Sequence, residues 1–297
     1  MIHFSILIPV HNRLRVTQQG LRSLYNALGH YQRSGRAACH FEVLVIDDGS
    51  TDGTSAWIAE NYPSIHLIPG DGDLWWSGAI NRGARYAIRE LHSNYLLLWN
   101  DDITPADNYF LEVERVFLDT PPANAIIGSR IVIREKNDQI WSVGGYFNKK
   151  WGRYGMYYDP GADKEFFECD WLPGMGTFVP TSILENNDLS WDEKKFPQYH
   201  GDSDFTLRCK AKGIAIRTCL SFLIYNNPQT SGLGQITDLR GLWQSLVSMR
   251  SNFNIPKRLV FYRRHGIFPL YYWGLAVTYV LYIGSFFKRK IFPHEAA

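Results

Sequence analysis

The chain has 297 residues, 45% hydrophobic and 20% charged, a composition that excludes disorder and allows one large domain or two modest ones. Its net charge of +2 hides an asymmetry: from Asp238 onward nine Lys or Arg face only Asp238 and Glu295, giving +7, and residues 1–237 carry −5. An acidic body with a basic tail implies that the tail meets an anionic surface.

In chain order, Phe4 to Val10 reads as a first strand, entered so early that no room remains for a signal peptide, and a cytosolic body is expected. Thr17 to about His30 follows as a helix with Leu21, Leu24, Tyr25 and Leu28 on one face. Phe41 to Ile46 is a second buried strand, ending on Asp47, Asp48 and Gly49. A helix from Thr54 to Asn61, a short strand at Ile65 to Ile68 and a helix over Ser77 to Leu91 lead into the apolar run Tyr95 to Trp99. Thr104 and Pro105 read as a helix cap with proline at the first helical position, so Asp101 and Asp102 are left over at a strand tip. After a strand around Ala125 to Ile133 the pattern loosens, and residues 144–176 read as a ligand-contacting loop region. Periodicity returns at Ser182 to Leu184 and over Asp204 to Lys212, a helix that Asp204 opens and can cap. The alternation of strand and helix predicts an α/β fold with a mostly parallel, Rossmann-like sheet flanked by helices. Cys39, Cys169, Cys209 and Cys219 show no CxxC or zinc-ligand spacing and are expected as reduced, buried thiols.

Open parallel sheets bind ligands at the carboxyl ends of their strands. Acidic clusters fall at Asp47-Asp48, Asp101-Asp102 and Asp202-Asp204, while no Gly-rich dinucleotide loop and no Walker-type Gly-Lys-Ser/Thr occurs. That combination predicts that a hard cation, rather than backbone amides, meets phosphate charge.

The segments ILIPVHNR, VLVIDDGSTDGT, WSGAINRG, LLLWNDDI, DWLPGMGTFV and YHGDSDFTLR, in this order, resemble the inverting family-2 glycosyltransferases of GT-A fold over about residues 3–230. The resemblance implies transfer of a sugar from a nucleoside diphosphate to an acceptor hydroxyl. It implies Asp48 at the donor's pyrimidine, with Pro9, His11, Arg13, Trp76, Asn81, Arg82 and Asp101 also on the donor. Asp102 is implied as ligand of Mn²⁺ or Mg²⁺, with Asp101 behind it. Asn100 stands where an aspartate is frequent, Ile80 replaces a frequent arginine, and Asn226 or Asn227 stands where many relatives have a metal-binding histidine. Asp202 matches the catalytic base; Gly201 replaces the usual glutamate beside it, and Asp204 is the second choice. Asp170, Trp171 and His200 are implied on the acceptor side, and Trp75, Trp76 and Trp171 as stacking platforms for sugars, although Trp is as often a core residue. The expected partners are a nucleotide-sugar donor, a glycan or lipid-linked oligosaccharide acceptor and the inner membrane surface, with no nucleic acid. The setting is synthesis of O-antigen, capsule or another cell-surface polysaccharide. Two rival readings stand beside this one, a sugar nucleotidyltransferase of related fold and a non-catalytic glycan-binding protein.

Residues 1–237 are thus expected as the catalytic domain and 238–297 as a basic, aromatic helical tail. Gly266 to Phe287 carries no charge, but Pro269, Gly274 and Gly284 interrupt it and tyrosines mark it as interfacial. An interfacial or re-entrant anchor is ranked ahead of a membrane span and of a buried helical subdomain.

Overall fold

The computed structural model describes residues 1–119, 124–161, 164–227 and 236–291. Alternating β1 (Ile2–Val10), α1 (Leu14–Arg33), β2 (Cys39–Asp47), α2 (Thr54–Asn61), β3 (His66–Pro69), α3 (Trp75–Arg89) and β4 (Tyr95–Leu98) build the first half. β5 (Ile103–Pro105), α4 (Tyr109–Asp119), β6 (Ala125–Ile133), β7 (Gln139–Ser142), the hairpin β8 (Gly145–Asn148) and β9 (Arg153–Met156), and β10 (Phe166–Glu168) follow. β11 (Thr177–Pro180), α5 (Thr181–Asn187), α6 (Gly201–Ala211) and β12 (Ala215–Asn226) complete the sheet and its cover, and α7 (Leu239–Val247), α8 (Ile255–His265) and α9 (Tyr271–Ile291) end the chain.

The sheet runs β10-β12-β6-β11-β4-β1-β2-β3, with β5 on β12 and β7 on β6. β3, β2, β1 and β4 are parallel, as are β6 and β12, and β11 is inserted antiparallel between β4 and β6. The chain winds outward from β1 to β3 and then returns to the other side of β1 with β4. That reversal opens a crevice between the carboxyl ends of β1 and β4, where doubly wound sheets place ligands.

Burial on both faces follows the strand alternation. In β1 the side chains of Phe4, Ile6, Ile8 and Val10 join α1 and α4 in one core, while Leu7 faces α3 and α6 in the other. All four cysteines are free and buried, as expected.

The structure departs from the sequence reading in three places. Ile103–Pro105 is not a helix cap but a strand, with Pro105 paired to Ile224 of β12, and the helix begins four residues later. Residues 144–176 hold the β8–β9 hairpin and β10 rather than continuous loop. Gly145 lies against the ring of Trp171, where any Cβ would collide, so cross-element contact defines this region and helical or strand periodicity does not. Finally, α8 is part of the body: Phe261 and Tyr262 are buried with Phe147, Trp171 and Phe196. Among the described residues no helix is long and apolar enough to cross a membrane, so the spanning alternative for the tail finds no support.

Candidate active site

Three loops meet at the β1/β4 crevice. The loop after β1 is stitched to the loop after β2, because the Asn12 N–H donates to Ser50 Oγ at 2.8 Å and the Thr51 N–H donates to Asn12 Oδ1 at 2.7 Å. Asp52 Oδ2 accepts the first N–H of α1, from Leu14, at 2.9 Å, as an end-capping carboxylate should. Asp47 holds its own loop through Ser50 and Ser55.

Asp48 organises the turn into α3. Its Oδ1 accepts from the Gly72 and Leu74 N–H groups at 2.9 and 3.2 Å, and Oδ2 accepts from Trp75 at 2.9 Å. A carboxylate offers roughly four acceptor positions, and three of them are taken by these N–H groups. Pro9 and His11 border this turn, with His11 Nδ1 at 2.5 Å from the Asp48 carbonyl oxygen.

Across the crevice, Arg13 grips the β4 carboxylates, reaching Asp101 at 3.1 Å and Asp102 at 2.9 Å. Thr17 donates to Asp101 Oδ2 at 2.9 Å. Burial pushes Asp101 up to about 6, against the pull of Arg13 and with the push of Asp102. The backbone here is packed on α1 at Gly20: a Cβ would fall inside the Asp101 carbonyl oxygen. Tyr199, which sequence reading missed, lies beside Asp102 and Arg13, and burial together with the Asp102 charge raises its phenol.

Gly20, Asp101, Asp102, Tyr225, Asn226 and Asn227 line one pocket of about 180 Å³. Its oxygen donors include the carboxylates of Asp101 and Asp102, both paired to Arg13, and the amides of Asn226 and Asn227, a set that suits Mg²⁺ or Mn²⁺ rather than a softer ion, while Arg134 brings a cation to the same lining. Asp102 and the Asn226-Asn227 pair therefore fit a hard cation completed by phosphate oxygens.

The second carboxylate station adjoins the first. Trp76 Nε1 donates to Asn100 Oδ1 at 3.3 Å, and its indole covers Gly174, where a Cβ would strike the ring. The Gly174 N–H donates in turn to Asp202 Oδ2 at 3.0 Å, and Ser203 N–H to Asp202 Oδ1 at 2.7 Å. Asp202 is half-buried, and its carboxyl is pushed up by burial against those two N–H groups. Tyr154, also missed in the sequence, lies near enough to Asp202 that burial and this charge both raise its phenol.

Other predicted residues are placed elsewhere. Asp204 is fully buried and caps nothing; it accepts from Arg208 at 2.8 Å and Arg264 at 2.8 Å, with His265 at 2.9 Å. Burial opposes its ionisation, but His265, Arg208 and Arg264 hold its carboxyl below the ordinary range. Asn81 turns away from the crevice, clasping Trp191 by its backbone N–H and carbonyl at 3.0 and 2.8 Å. Arg82 lies mid-helix, its side chain making no hydrogen bond or ion pair among the described residues.

On the acceptor side, Asp170 pins β8 to α6 through the Phe147 N–H and Lys210, both at 2.7 Å. Trp171 is 2% exposed and stacks on Tyr154 at 4.8 Å, so it offers no face to a sugar. His200 is buried, with a left-handed φ of 66°, and burial and Arg258 push its imidazole down to about 3. It is a neutral wedge between Tyr154 and Phe261 rather than an acceptor contact.

A doubly wound α/β sheet with carboxylates on the loops at its switch point is the class these features define. Residues 5–174 match the profile of glycosyl transferase family 2, and the chain belongs to that family. It is 24% identical over 217 residues to the low-salt glycan biosynthesis hexosyltransferase Agl10 of Haloferax volcanii, a match covering 71% of this chain and 64% of that protein. The chain thus spans slightly less than two-thirds of that relative's length. Its fold is shared with a fragment of S. aureus TarS in complex with UDP-GlcNAc, at TM-score 0.52 and 16% identity over 89% of this chain and 74% of that one. GalNAc-T7, solved with UDP, GalNAc and Mn²⁺, aligns at TM-score 0.57 and 11% identity over 76% of this chain and 44% of that one. The architecture is therefore GT-A, as the motifs implied.

Proposed function

We propose that this protein transfers a sugar, with inversion, from a nucleoside-diphosphate donor to an acceptor hydroxyl. The observation that carries the reading is the wall Asn100–Trp76–Gly174–Asp202, which joins the Asp101-Asp102 station to a single half-buried carboxylate. The neighbours crystallised with UDP-GlcNAc, and with UDP and Mn²⁺, support the donor class and a divalent cation.

In this reading the donor base sits at Asp48 and the diphosphate beside Arg13, Asp101 and Asp102. A bound Mn²⁺ or Mg²⁺ would neutralise charge on the departing diphosphate. Asp202 removes the proton of the acceptor hydroxyl as its oxygen attacks the anomeric carbon. The bond from that carbon to the diphosphate oxygen breaks on the opposite face, and the nucleoside diphosphate leaves. A raised carboxyl makes Asp202 a stronger base than a solvated aspartate, and general-base catalysis as a whole is commonly worth ~10²–10⁴-fold.

The acceptor is proposed to be a lipid-linked glycan at the inner membrane face, in cell-surface polysaccharide synthesis. Support comes from the outward faces of α7 and α9, where Trp243, Trp273, Val280 and Leu281 are 64%, 65%, 69% and 64% exposed beside Lys288, Arg289 and Lys290.

Thermal-shift measurements over a panel of nucleoside-diphosphate sugars, with and without Mn²⁺, test the function. One donor should stabilise the wild type, more so with Mn²⁺, and Asp102→Asn should lose the Mn²⁺-dependent part while staying folded. Full transfer by Asp102→Asn in excess chelator overturns the assignment of the cation.

A further inference from the structure

The opposite end of the same sheet carries a cluster that sugar transfer does not use. β1, β2 and β3 pair in parallel with His3 opposite His40, Ser5 opposite Glu42 and Leu44 opposite His66. Paired residues on parallel strands share a face, so His3, His40, Glu42 and His66 project from one side. That side is the one α3 covers further along, through Leu7, Leu44 and Ile46. His3 Nε2 lies 2.5 Å from Glu42 Oε2, His66 Nε2 lies 3.3 Å from Glu42 Oε1, and His40 Nε2 lies 4.0 Å from Oε1. One ligand atom each from His3, His40 and Glu42 falls within 4.8 Å of the others. Behind them, the Tyr86 hydroxyl lies 3.3 Å from His66 Nδ1.

We propose that His3, His40 and Glu42 form a second metal site, for Zn²⁺ or a similar borderline divalent ion. Two imidazoles and a carboxylate are the ligand chemistry of zinc, and they discriminate against the hard ions suited to the all-oxygen pocket. Tetrahedral ligand bonds of ~2.0–2.1 Å put donor atoms about 3.3 Å apart, so modest side-chain rotation closes the cluster while the strands stay fixed. The site has its own support. His66 donates to the Glu42 oxygen facing away from His3, and with Tyr86 at its other nitrogen it sets the carboxylate's orientation. His40, the most exposed of the three, gives the ion its entrance and leaves a fourth position to water. The proton shared by His3 Nε2 and Glu42 Oε2 is released to solvent when both atoms bind the ion. The site clasps the amino ends of β1 and β2, roughly 25 Å along β1 from the acidic crevice at ~3.3 Å per residue.

The test uses the untagged full chain, titrated with Zn²⁺ against a chromogenic chelator and, separately, with Co²⁺ under visible spectroscopy. Wild type and Asp102→Asn should each bind one Zn²⁺ in competition and show the intense bands of tetrahedral Co²⁺. His40→Gln and Glu42→Gln should weaken Zn²⁺ at least tenfold and lose those bands, and His66→Ala should weaken it about tenfold. Zn²⁺ should raise the melting temperature of wild type but not of His40→Gln, whose exposed position leaves the fold untouched. Unchanged Zn²⁺ affinity in both His40→Gln and Glu42→Gln, or loss of the Co²⁺ bands in Asp102→Asn alone, overturns the proposal.

Discussion

Asp202 and Asp204 stand two residues apart on α6 and do opposite things. Asp202 meets only backbone N–H groups and neighbouring polar atoms, whereas Asp204 is saturated by Arg208, Arg264 and His265. Asp202→Asn should therefore lower turnover ~10²–10⁴-fold with a much smaller change in donor affinity, read as a split between kcat and donor Kd. A near-normal kcat for this variant would remove Asp202 as base. At Gly20 the expected result is different in kind: Gly20→Ala forces the Asp101 backbone away from α1, costing about 1–3 kcal/mol and donor affinity together. Calorimetry alongside donor titration checks it. Carboxylates at strand tips are legible in a sequence because residue type and an abrupt end of apolarity coincide there, as at Leu98 to Asp102. Gly20, Tyr154 and Tyr199 carried no such signal, because what matters about them is which distant backbone or charge they touch. Trp171 misled for the reverse reason: a tryptophan beside a predicted sugar site reads alike whether its ring faces solvent or Tyr154.

At the scale of elements, α8 is fastened to α6 by a buried ion cluster. Arg264 bridges Asp204 and Asp192 at 2.8 and 2.6 Å, and Phe261 packs on His200. Removing the shared anion leaves the partly buried Arg208 and Arg264 facing one another, with Arg264 keeping Asp192, so Asp204→Ala should cost roughly 1–3 kcal/mol. The cluster also fixes a pH dependence. Asp204 and Asp192 are both held below their ordinary value of 3.8, so their contribution is whole above that pH and is lost as pH falls through the lowered values. Asp101, pushed up, acts in the opposite sense, its contribution present below 3.8 and lost as pH rises through about 6. Acid titration of tryptophan fluorescence, wild type against Asp204→Asn, separates them: the variant should show a smaller acid-side loss below pH 3.8, the part due to Asp192 remaining. The β-α alternation of the first hundred residues was readable element by element, since long apolar runs determine it; α2 has the predicted ends, while α1 runs three residues further at each end. The Thr104-Pro105 cap failed because pairing with β12 outweighs a local proline signal.

For the whole molecule, the charge asymmetry seen in composition becomes a spatial one. The basic end of the chain splits between α8, consumed in holding the body, and α7 and α9, which turn apolar faces outward. Cutting at Asn254 would thus unseat Asp204 as well as remove the α9 face while leaving that of α7, and substitutions are the cleaner probe. Trp273→Asp with Leu281→Asp should abolish flotation on anionic vesicles while sparing the melting temperature and hydrolysis of donor alone. Flotation equal to wild type sinks the membrane reading. The clamp of α8 on α6 also has a consequence for biogenesis. Translation proceeds at ~5–20 residues per second, so the strands that carry Asp48, Asp101 and Asp102 have emerged for several seconds before residues 255–265 leave the ribosome. Until then Asp204 has only Arg208 of its own helix as a partner, and the start of α6, which carries Asp202, has no Phe261 beneath His200. On the proposed reading, nucleotide affinity should precede sugar transfer during synthesis, because Asp202 is braced only when α8 docks on α6.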